Sequence, residues 1–194
     1  RVSTSPAWPW WMRVLGRGFR GVAQCHAGYH YAAEEELTGL VDDVEKATPA
    51  ERAMLTYGQQ DAWVDAELRA TAHLLRAWNR FALDRKDAAT DDLEEGLKQL
   101  ERIGVDNELT QWAWAVVHTR RKRYDQAAAS LEKLAQSPHL DATAKAEVQA
   151  AAVEVKKAGH DWLPLTSLRA NYYILNALLQ RAGGLEHICE VLVG

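Results

Sequence analysis

Several things are scarce in this 194-residue chain, and each scarcity removes a class of protein. It has two cysteines, Cys25 and Cys189, near its opposite ends. That is too few for a disulfide framework, and free thiols are the expected state of both. No run of about 18 apolar residues occurs, so no helix is expected to span a membrane. No charge sign dominates: the formal net charge is −4 and charged residues make up 26%. That balance carries neither the basic footprint of a nucleic-acid binder nor the acidity of a disordered tail, so no nucleic acid is expected as a partner. The five prolines are sparse, and no β-type alternation is present. Catalytic signatures are missing as well: no G-x-S-x-G, no phosphate-binding glycine loop and no H-E-x-x-H. An enzyme is not expected, nor is a cofactor.

Residues 1–30 differ from the rest in lacking acid altogether. They carry Arg1, Arg13, Arg17 and Arg20 beside Trp8, Trp10, Trp11 and Phe19. This reads as a basic, Trp-rich N-terminal arm. A helix there would align Trp11, Leu15, Phe19 and Val22 as one stripe, an interface arm suited to the bundle, to a partner, or to a membrane surface through residues 8–22. A chain that opens at Arg1 reads as a processed product or a piece of a longer protein. A soluble cytoplasmic domain is favoured, and an envelope association follows if a signal or anchor precedes Arg1.

From residue 31 to 194 helical signals dominate, and one all-α domain is expected. Leu37, Leu40, Val41 and Val44 share a face. Thr48, Pro49 and Glu51 spell a helix start with a capping box. Thr90 is expected to cap a helix carrying Leu93, Leu97 and Leu100 that ends at Gly104, and Asn107 to cap the next. Asp141 should begin another, followed by a last long helix over 166–182. Short connections make the helices antiparallel hairpins, at about seven to eight helices in all.

Residues 74–104 and 108–138 can be laid over one another at a register of 34, which puts Trp78 on Trp112, Asp91 on Asp125, Leu97 on Leu131 and Leu100 on Leu134. A hairpin over 141–182 follows with its second helix out of register. In the stretch 120–138, Tyr124 closes a turn, Ala127 and Leu131 follow on the second helix, and Ala115 lies on the first. These residues resemble the tetratricopeptide repeat family, over about half of the chain. Leu134 and Trp114 depart from that family's pattern.

The resemblance implies a right-handed superhelix or a compact bundle whose first helices line a groove. The groove residues would be Trp78, Asn79, Lys86, Trp112 and Arg120, and the function a non-catalytic scaffold or adaptor for a partner protein or peptide. Trp would anchor, and Arg and Lys would hold carboxylates. A membrane-proximal domain is the alternative within the binding class. From another class, His26, His30 and Glu34 at i, i+4 spacing are weak metal candidates for a small helical metal protein or enzyme. The sequence does not decide the oligomeric state.

Overall fold

The computed structural model describes residues 8–56, 61–138, 140 and 142–158. Among these the chain is all-α, with α1 at Trp10–His26, α2 at His30–Glu45, α3 at Pro49–Thr56, α4 at Asp61–Ala82, α5 at Lys86–Arg102, α6 at Glu108–Arg120, α7 at Tyr124–Ala135 and α8 at Ala142–Ala158. The chain divides into two compact units, Arg1–Gly104 and Val105–Gly194. The helix expected over 166–182, its cap Asp141, and Cys189 lie outside the described residues.

Two starts are as the sequence reads. At α3, the Glu51 carboxylate accepts from the Thr48 backbone N–H at 2.8 Å, and Thr48 Oγ1 accepts from the Glu51 N–H at 3.2 Å. At α6, Asn107 Oδ1 accepts from the Thr110 N–H at 3.1 Å, and Thr110 Oγ1 accepts from the Asn107 N–H at 2.9 Å. One start is different. α5 begins four residues before Thr90, after a turn through Leu83, Asp84 and Arg85, and Thr90 sits inside the helix donating to the Lys86 carbonyl at 2.7 Å. A hydroxyl can satisfy itself on the carbonyl four residues back, so Ser or Thr does not by itself mark a start.

Three hairpins, α1–α2, α4–α5 and α6–α7, close through one and the same turn. The turn residues Gly28, Asp84 and Lys122 adopt φ of +80°, +58° and +58°. The residues after them, Tyr29, Arg85 and Arg123, sit at φ/ψ of −86°/56°, −85°/59° and −96°/64°. Their N–H groups donate back to the carbonyls of Gln24, Arg80 and His118 at 2.8, 2.9 and 2.8 Å. This is the left-handed helix termination, which satisfies carbonyls that the helix end would orphan.

Counted from the turn residue, the packing positions also coincide. Seven residues before it stand Gly21, Ala77 and Ala115. Five after it stand Ala33, Ala89 and Ala127, and nine after it Leu37, Leu93 and Leu131. All nine are buried. The small residues let the two helices approach, and the leucine fills the space between them. At Gly21 the approach is absolute, since an added Cβ would stand 2.6 Å from Leu37 Cδ2.

This register corrects the one read from sequence. The turns of the second and third hairpins fall at 84 and 122, a spacing of 38, whereas the sequence alignment used 34. Four residues are about one helical turn, so the wrong register still matches one apolar stripe to another. The corrected one also shows that residues 10–45, read in part as an arm, have the same hairpin construction. α3 occupies the connection between the first hairpin and the second.

Candidate functional site

The most organised polar constellation lies within the first unit, where α4 carries Arg69, His73, Arg76 and Arg80 at spacings of four, three and four. That places them on one face. Opposite, α5 supplies Asp92, which is 3% exposed. Its Oδ1 accepts from His73 Nδ1 at 3.0 Å and Arg76 Nη2 at 2.6 Å, and its Oδ2 from Arg76 Nε and Arg80 Nη1, both at 2.8 Å. Burial alone would raise this carboxyl, but the hydrogen bonds from His73 and Arg76 and the charges of Arg76 and Arg80 outweigh it and hold it below the ordinary range. Because a carboxylate only accepts, His73 Nδ1 is the donor in this bond. Arg80 continues to Glu34 of α2 at 2.8 Å, and Arg69 pairs with Glu45 of α2.

Asn79 joins this network to α1. It is fully buried, at 0% exposed. Its Nδ2 donates to the His30 carbonyl at 2.9 Å and to Glu34 at 3.1 Å, while its Oδ1 accepts from His30 Nδ1 at 3.0 Å and from the Cys25 thiol at 3.3 Å. Burial and the nearby Glu34 charge push that thiol up to about 12, so it stays a neutral donor. The sequence placed Asn79 in a partner groove; it instead ties three helices together, since every polar atom of its amide is engaged internally.

The other expected groove residues sit as follows. Trp78 is half-buried beside His26, with ring centroids 5.6 Å apart. Lys86 pairs with Asp84 at 2.8 Å. In the second unit Trp112 packs on the cluster of Ala115, Ala127, Leu131 and Val155, and Trp114 stacks on His118 at 5.1 Å. Arg120 is half-buried at the end of α6.

The arm residues separate onto two sides of α1. Trp10 is buried and its indole N–H donates to the Asp43 carbonyl at 2.8 Å. Arg13 and Arg17 reach the Asp43 carboxylate at 3.4 and 2.9 Å, and Arg20 forms a bidentate pair with Glu36 at 2.9 and 3.0 Å. So Trp10, Arg13 and Arg17 bind α1 to α2, and Trp10 is buried in that contact. Trp8, Trp11, Met12, Leu15 and Phe19 are exposed and follow one another along the opposite side.

His26 and His30 do not converge, one meeting Trp78 and the other Asn79. Among the described residues, no three His, Cys, Asp or Glu side chains are grouped to hold a metal ion. Shallow cavities lie among the described residues. One of about 310 Å³ is bordered by Trp10, Arg17, Asp43 and Lys46, and one of about 190 Å³ by Asp106, Gln111, Lys133 and Ser137.

Sequence reasoning missed the Asp92 network. Its signal is the cationic 4-3-4 spacing on α4 followed by an acid on the next helix. The geometry defines the class, an all-α protein with recurring helical hairpins. Comparison with protein-family models, with curated proteins and with solved structures finds no match.

Proposed function

We propose that this chain is a non-catalytic, tetratricopeptide-like scaffold that holds a partner protein or peptide. The observation that carries this reading is the threefold recurrence of one hairpin, with the same turn and the same three packing positions. Hairpins repeated in this way are the units from which extended binding surfaces are built. Each unit offers such a surface by itself: Trp78 with its neighbour His26 and Lys86 at the start of α5 in the first, and Trp112 with Arg120 in the second. Asn79 is internal and takes no part. The mechanism is rigid presentation. A scaffold already ordered leaves most of the ordering cost to the peptide.

Panning the immobilised chain against displayed peptides with acidic C-termini tests the reading. Enrichment of such peptides is expected, with affinity reduced about tenfold by Trp78→Ala and by Arg120→Ala. Failure to enrich any peptide above an unrelated helical bundle overturns it.

A further inference from the structure

α1 and α4 hold the same place in successive hairpins, so their residues correspond when counted back from the turn. At 12, 9 and 5 residues before it, α4 has Ala72, Leu75 and Asn79, which are 1%, 7% and 0% exposed. α2 lies on that side of α4, as the bonds from Asn79 to His30 and Glu34 and the pairing of Arg69 with Glu45 show. The counterparts on α1 are Gly16, Phe19 and Ala23. Phe19 is 44% exposed and Ala23 is exposed. Toward the helix start, Leu15, Met12 and Trp11 extend the same exposed side, and Trp8, just before the helix, is exposed as well. Among the described residues, the face that α4 gives to the preceding helix has no helix over it on α1.

The geometry points to this face as the docking site for an amphipathic helix of another protein, apolar on one side and acidic along its edge, seated as α2 is seated on α4. The stripe bears no formal charge, and α1 contains no acidic residue. Its edge is basic. Arg20 uses Nε and Nη2 on Glu36, while its Nη1 lies over Gly16, 3.2 Å from where a Cβ would stand. That leaves a guanidinium edge, on a side chain 55% exposed, for an incoming carboxylate. Trp is among the side chains that most often anchor such contacts, and Phe and Met are enriched at interface cores.

Two other occupants fit less well. Arg13 and Arg17 are turned to Asp43, away from the stripe, which weakens attraction to an anionic lipid surface. A second copy of α1 would bring Arg20 no carboxylate, since that helix holds no acidic residue.

The test uses the full chain and a fluorescein-labelled, hydrocarbon-stapled peptide of the α2 sequence, His30–Glu45, followed by anisotropy. Saturable binding is expected, weakened about tenfold or more by Phe19→Asp and, as a second variant on the exposed side, by Leu15→Asp, both with unchanged circular dichroism. A peptide with Glu34, Glu36 and Glu45 changed to Lys should bind about tenfold more weakly. Absence of saturable binding, or equal binding by the Asp variants or the Lys peptide, overturns the proposal. So does flotation of the chain with phosphatidylcholine–phosphatidylglycerol vesicles that Phe19→Asp abolishes, or a dimer in light scattering that Phe19→Asp dissolves. None of these readouts involves Trp78 or Arg120, so this result and that of the peptide panning stand apart.

Discussion

In the second hairpin, Arg76 of α4 and Asp92 of α5 form a bidentate pair; in the first, Arg20 and Glu36 hold the same two positions and form the same pair. In the third hairpin those positions are Trp114 and Ser130. The backbone turn is nonetheless the same in all three. What fixes the third is apolar: Ala115, Ala127, Ala128, Leu131 and Leu134 pack with Val148, Ala151, Ala152 and Val155 of α8. The difference teaches that turn and small-residue contacts determine the hairpin, while the means of tightening it is exchangeable. In the first unit that means is electrostatic; in the second it is dispersion and burial.

The largest expected effect breaks the polar lock. Asp92→Ala leaves Arg76 and Arg80 without their buried carboxylate and should cost about 4 kcal/mol. Urea unfolding measures the loss, and hydrogen exchange should localise it to α4 and α5. A cost near zero would show that packing alone holds both units.

Acid should separate the units next. The Asp92 carboxyl and that of Glu36, the latter held down chiefly by its hydrogen bonds from Arg20, both lie below their ordinary range. The stability they contribute is therefore full above about pH 4 and is lost as the pH falls through their depressed values. Amides of α4 and α5 should lose protection on acidification before those of α6 and α7. In Asp92→Asn the first-unit dependence should flatten, and an unchanged pH profile would remove Asp92 as its source.

The smallest effect comes from moving the lock. Trp114→Arg combined with Ser130→Glu recreates the pair in the third hairpin but removes the Trp114 stack on His118. A double-mutant cycle with the two single variants therefore isolates the pair, and its coupling energy in urea unfolding should be less than about 1 kcal/mol because a half-exposed pair gains little. A large gain would mean that the lock does more than tighten an already determined hairpin.

Much of this architecture was legible in the sequence, for identifiable reasons. Caps made by adjacent residues, Thr48 with Glu51 and Asn107 with Thr110, are local and were read correctly. The leucines of α2, α5 and α7 announced their stripes. Register was harder: a shift of one helical turn preserves the apolar pattern, and only the left-handed residues fix it. Two of those, Asp84 and Lys122, are not glycine and give no signal. The role of Asn79 was not legible either, since its partners Cys25, His30 and Glu34 lie 45 to 54 residues away.

Arg20 and Glu36 are 16 residues apart, and so are Arg76 and Asp92. The turn and the small-residue contacts between paired helices are equally short-range. Structure of such low contact order closes with little loop entropy to overcome, so the pairings within a hairpin are expected to form early. A chain made this way can acquire native pairings in the order in which it is synthesised, and the later, longer-range ties such as Asn79 are left to join hairpins that already exist.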